Sequence, residues 1–265
     1  MARTLQTLAL CACILTPSAA YADDIKAGVD ASKMGHLDQD DLAVCKLPAG
    51  GTLACGPAAA VNSFVYLQKR FPLAYGGLLV PDGGEIAVGN TLGAAGYMAT
   101  TPPSGTTWTN FYTGKTKYLQ DKAPGVTRST ERNRPGADWL ASYLKKGADV
   151  EILLGFSDAG FAGHYVTVTK ISYDSAARTG TLSYIDPLDG QEHSAGLSSK
   201  ATGAVVDISY SKPGDPKIYA GQIIRGASEL PAKVPEPETW AMMVLGFGAI
   251  GAMIRGRRRL AIQTR

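Results

Sequence analysis

Two short apolar segments, one at each end, bracket this 265-residue chain and decide in which compartment everything between them folds. At the N-terminus Arg3 supplies a positive charge and Leu5 to Leu15 an apolar run, and Ala20-Tyr21-Ala22 closes it with small residues. That layout is a secretory signal, so a signal peptidase is expected to remove residues 1–22 by cutting between Ala22 and Asp23. At the C-terminus Pro235-Glu236-Pro237 precedes Trp240, an apolar run through Ile254, and the cluster Arg255, Arg257, Arg258 and Arg259. A helix over 240–254 reaches about 22 Å against about 30 Å of hydrocarbon, so it spans with help from snorkelling arginines or a thinned bilayer. Arginines after the span place the C-terminus in the cytoplasm. The bulk of the chain is thereby expected outside the inner membrane, held by one C-terminal transmembrane helix.

The stretch Pro235-Glu236-Pro237-Glu238-Thr239-Trp240-Ala241, with its glycine-containing span and arginine cluster, resembles the PEP-CTERM sorting signal in its PEPxxWA form. The resemblance implies recognition by an exosortase, a cut near the Pro-Glu-Pro, and removal of the tail at residues 231–265. It also implies a Gram-negative host that makes exopolysaccharide or biofilm matrix. The processed protein is then expected in the periplasm, on the outer surface or in the extracellular matrix.

Removing both ends leaves residues 23–230, enough for one domain with a real core. It also changes the charge. Seven of the 26 basic side chains lie in the discarded ends, against two of the 23 acidic ones, so the middle carries 19 basic and 21 acidic residues. A net charge of −2 offers no footprint for nucleic acid. Cys11 and Cys13 leave with the signal, and the mature chain keeps Cys45 and Cys55 in an oxidising compartment.

Within the middle, Pro57 suits the first turn of a helix that begins after Cys55, and Ala60, Phe64, Leu67 and Phe71 fall at helical spacing before Pro72. A short helix is expected near 89–99, another around 109–120, and a third from Pro135, with Trp139, Leu140, Tyr143 and Leu144 on one face and Gly147 as its stop. From Asp149 the pattern turns to strands: 149–156, 164–173, 181–186, 205–210 and 217–224. Helices first and strands afterwards predict an α+β domain.

Three motifs carry the chemistry. Cys55-Gly56-Pro57 stands at the expected start of a helix, where the dipole and free N–H groups lower a thiol's pKa. Gly163-His164-Tyr165-Val166 puts His164 at the head of a strand, on the face of Val166 and Val168. The return strand ends at Ile185-Asp186-Pro187, within reach of that ring across a hairpin. Nucleophile, base and orienter then follow in the order Cys, His, Asp. Together with Ala58-Ala59 and Tyr184, these motifs resemble papain-like cysteine peptidases of the bacteriocin-leader-processing type over roughly residues 45–190. The resemblance implies a papain-like fold, with a helix after the cysteine and an antiparallel sheet carrying the histidine and aspartate. It also implies a peptide substrate, no cofactor, and the catalytic set Cys55, His164 and Asp186. Its oxyanion glutamine normally stands a few residues before the cysteine, whereas the upstream candidate here is Gln39.

A second reading needs no catalysis. A Cys45–Cys55 disulfide would stabilise by about 2–3 kcal/mol in the chain-entropy picture and leave a silent surface or matrix protein. His36 and His193 lack metal-ligand spacing, and Asp38, Asp40 and Asp41 lack that of a calcium loop. No metal site is expected.

Overall fold

The structure, a computed structural model, describes residues 24–48, 51–156, 163–199 and 206–232. The expected cleavage point Ala22/Asp23, the sorting residues Pro235, Glu236, Pro237 and Trp240, and the span 240–254 lie outside the described residues. Among the described residues no helix is long and apolar enough to cross a membrane.

The helices are α1 (Cys55–Arg70), α2 (Pro72–Tyr75), α3 (Glu85–Gly93), α4 (Trp108–Lys122) and α5 (Ala137–Lys145). The strands are β1 (Asp24–Gly28), β2 (Thr127–Asn133), β3 (Asp149–Phe156), β4 (Gly163–Asp174), β5 (Thr179–Asp186), β6 (Gln191–Ser199), β7 (Val206–Ser211) and β8 (Ile218–Pro231). Helix α1 is buried from Gly56 to Leu67 on every side, which its small residues Ala58, Ala59 and Ala60 permit. It ends where Pro72 cannot continue it, and Pro72 instead opens α2. The Thr107 hydroxyl caps α4 by accepting the Asn110 N–H.

The strands run β4-β3-β8-β7-β6-β5, all antiparallel, and β5 pairs again with β4. Six strands therefore close into a barrel, with β1 added to β4 and β2 to β8. This overturns the papain-like α+β fold expected from the sequence: the domain is mostly β, built on a closed antiparallel barrel. The closure depends on β4, whose Gly163–Thr167 stretch pairs with β3 while Thr167–Asp174 pairs with β5. Alternation of side chains shows that a strand has a buried face; it carries no information on whether the sheet closes.

Alternation also divides the core in two. Val150, Ile152, Leu154, Val166, Val168, Leu182, Tyr184, Leu197, Ile208, Tyr210 and Ile223 fill one cluster, completed by Leu140, Ala141 and Leu144 of α5. The opposite faces, through Tyr165, Ile185 and Ala227, meet α1, α3 and α4 in the other. At roughly 1.5–3 kcal/mol per fully buried large apolar side chain, these two clusters hold barrel and helices in fixed register. The positions of α1 and the strand ends follow from that.

Candidate active site

Helix α1 lies along β4, and the Thr167 hydroxyl donates to the Ala59 carbonyl at 3.0 Å. This anchor sets the N-terminus of α1, and with it Cys55, beside the head of β4, where His164 sits. No side chain caps α1: Ala54 stands at the cap position. The helix end therefore presents its N–H groups and positive dipole to the thiol. The approach is close, because a Cβ on Gly56 would lie 2.9 Å from the Thr106 hydroxyl. Thr106 also accepts the Tyr165 hydroxyl at its carbonyl, 3.1 Å away, and so ties this helix end to β4 a second time.

His164, Asp186 and Tyr210 occupy the strand face that points into the barrel core, at its mouth. His164 Nε2 donates to Asp186 Oδ1 at 2.7 Å. The same oxygen takes the Leu188 N–H at 2.9 Å, and Oδ2 takes the Tyr210 hydroxyl at 2.7 Å. The other side of the imidazole hydrogen-bonds the Cys55 sulfur. Burial alone would favour a neutral thiol and a neutral ring. Against it, the hydrogen bond and charge of His164, with the Tyr165 and Gly56 N–H groups, hold the Cys55 thiol below its ordinary value. Burial is likewise outweighed at His164, where the charge of Asp186, its hydrogen bond and that of Cys55 push the ring up to about 10. Asp186, buried completely, would rise; the charge and hydrogen bond of His164, the Leu188 N–H and the Tyr210 hydroxyl keep it below the usual carboxylate value. The favoured form is a thiolate beside an imidazolium.

A cavity of about 430 Å³ opens onto this pair, lined by Cys55 and His164 together with Gln39, Thr52, Leu53 and Leu188. Gln39 arrives there through the segment before α1. Its N–H donates to the Pro187 carbonyl at 2.7 Å, and its neighbour His36 places Nδ1 2.7 Å from the Gly190 carbonyl. Gly190 is required at this turn: its φ is +65°, and a Cβ would lie 2.3 Å from the His36 oxygen. The Gln39 Nε2 donates to the Thr52 carbonyl at 3.0 Å, while its Oε1 is buried without a partner. The structure thus brings Gln39, Cys55 and His164 to one cavity, with Asp186 buried behind the imidazole.

Cys45 and Cys55 are both free thiols in the structure, which holds no bond between them. The Cys55 sulfur is engaged by His164 instead. Cys45 sits at φ +56° beside the Lys46–Thr52 bridge, and burial raises its thiol. Tyr210 is the participant that sequence reasoning missed. Its strand alternates Ile208 and Tyr210 inward, which predicts a buried ring and says nothing of where the hydroxyl goes.

A second polar cluster lies away from the cavity. The Lys115 ammonium of α4 contacts Asp149 at 3.0 Å and also touches Glu151 and Glu229, all four fully buried. Oxygens of the three carboxylates lie within 4.8 Å of one another, a spacing that suits a metal ion, but the ammonium already supplies the positive charge among them.

Residues 233–259 match the PEP-CTERM protein-sorting motif. The motif marks an exported chain that is processed by exosortase and sorted to the cell surface. No curated protein matches the chain.

Proposed function

We propose that the exported domain is a cysteine hydrolase acting on peptide bonds, with Cys55 as nucleophile, His164 as general acid and base, and Asp186 as orienter. What supports this reading is the unbroken line of hydrogen bonds from thiol to imidazole to buried carboxylate, opening onto a cavity large enough for a substrate segment. The thiolate attacks the substrate carbonyl, and its electron pair forms the thioester carbon–sulfur bond. The imidazolium gives its proton to the leaving amine. Water enters, the neutral imidazole takes its proton, and the resulting hydroxide releases the acid product and the thiolate. Asp186 keeps the ring in one orientation and stabilises its charged form. Gln39 is assigned to the oxyanion: its Nε2 has a second N–H beyond the one given to Thr52, and it lines the cavity beside the thiol.

A peptide vinyl sulfone tests the proposal, since it alkylates a catalytic thiolate that binds peptide. A single adduct on Cys55, absent in Cys55→Ala and His164→Ala, together with hydrolysis of a fluorogenic peptide library that Cys55→Ala abolishes, is the expected result. Folded protein that forms no adduct and turns over no member of the library would end the hydrolase reading.

A further inference from the structure

Three large apolar side chains stand in water within one short stretch: Leu73 at 95% exposure, Leu78 at 54% and Ile86 at 47%. Elsewhere among the described residues only Ile218 is comparable, and it stands alone near the start of β8. Scattered apolar residues need no explanation, but a cluster of them marks a contact surface. This one comprises α2, the turn after it and the first turn of α3.

Its place in the fold indicates what it meets. Helix α1 leads from Cys55 to Arg70, about 24 Å at 1.5 Å per residue, and α2 follows at once. The patch therefore lies at the end of α1 remote from the thiol. The chain leaves the domain at this same end. The Tyr75 hydroxyl of α2 is 3.1 Å from the Thr127 hydroxyl, and Thr127 pairs with Pro231, the last residue of β8. The next residue, Ala232, donates its N–H to Val126. Only residues 233–239 then separate the domain from Trp240, a reach of about 25 Å even when fully extended.

We infer that Leu73, Leu78 and Ile86 form a docking face for a phospholipid bilayer, seated in its interfacial layer while the sorting tail holds the chain. The inference rests on reading the segment 240–254 as membrane-held. Exposed Lys69 and Arg70 close α1 and Lys122 closes α4 at this end, facing lipid phosphates; Asp82 and Glu85 are the acidic groups in the stretch. Apolar side chains flanked by basic ones are the pattern of a surface that lies on a membrane. The consequence is an orientation: the catalytic cavity, at the other end of α1, faces away from the bilayer.

The test uses the full chain in phospholipid nanodiscs with brominated acyl chains, which quench tryptophan on contact. Leu73→Trp and Ile86→Trp are expected to lose emission, while Ile218→Trp, also exposed but remote from α2, keeps it. The native Trp240, read as the difference between the parent chain and Trp240→Phe, is expected to be quenched as well. Quenching of Trp240 with no loss at Leu73→Trp or Ile86→Trp would overturn the docking face and leave the tail reading standing. An unquenched Trp240 would overturn both.

Discussion

Asp186 keeps its charge in a fully buried position because three donors converge on two oxygens: the His164 ring, the Leu188 N–H and the Tyr210 hydroxyl. Among the described residues Tyr210 alone donates to Oδ2, so Tyr210→Phe leaves a charged oxygen in the barrel mouth without that donor. Such a loss costs about 1–3 kcal/mol, and the urea midpoint of the variant is expected to fall by the corresponding amount with the slope unchanged. Cys55, His164 and Asp186 were legible because each sits in a local context with a chemical signature: helix start, strand head, strand end before proline. Tyr210 was not, since a phenol at an inward strand position looks the same whether its hydroxyl meets a carboxylate or a carbonyl. Gln39 was legible only as a residue type. Its path to the cavity depends on contacts of its segment with Pro187 and Gly190, far away in the chain.

At the scale of elements, α4, β3 and β8 meet through Lys115, Asp149, Glu151 and Glu229. One ammonium cannot balance three buried carboxylates, so protonation must supply the rest. Burial, opposed by the Lys115 charge and reinforced by Asp149, pushes Glu151 up to about 7, and burial raises Glu229 well above its ordinary value. A carboxyl whose folded pKa is raised binds its proton more tightly in the folded state. Its contribution to stability is full below the unfolded value of 4.5 and is lost as pH rises through about 7. Urea midpoints are therefore expected to fall as pH rises across that interval, and Glu151→Gln, which cannot ionise, should flatten the dependence. Lys115→Met removes the cation and is expected to cost about 3–5 kcal/mol, read as a lower midpoint at every pH. None of this was legible beforehand. The stretch 149–156 reads as an apolar strand, and its two acids, at alternate positions, face a helix whose arrival the sequence does not announce. Strand β6 escaped notice because Ala195 and Leu197 are its only buried apolar residues, and β2 because it is a polar strand at the margin of the sheet.

At the scale of the molecule, the sorting tail was the most readable part and the architecture the least. The sorting tail is a local pattern, and residues 233–259 match it without any reference to the fold. Barrel closure is a long-range property: it needs β4 to pair with β3 and then β5, and β8 to reach β3 and β7 on opposite edges. The catalytic proposal is also a whole-molecule claim. Its residues come from α1, β4 and β5, and only the packing of α1 on the barrel gives the thiol its low pKa. The most direct measurement is the pH dependence of iodoacetamide alkylation at Cys55, followed on its own peptide by mass spectrometry. Cys45, whose thiol is raised by burial, then serves as an internal reference. The account predicts that Cys55 reacts at a lower pH than an ordinary thiol does, and that His164→Ala removes this advantage. A native Cys55 that titrates like Cys45, unchanged by His164→Ala, would contradict it.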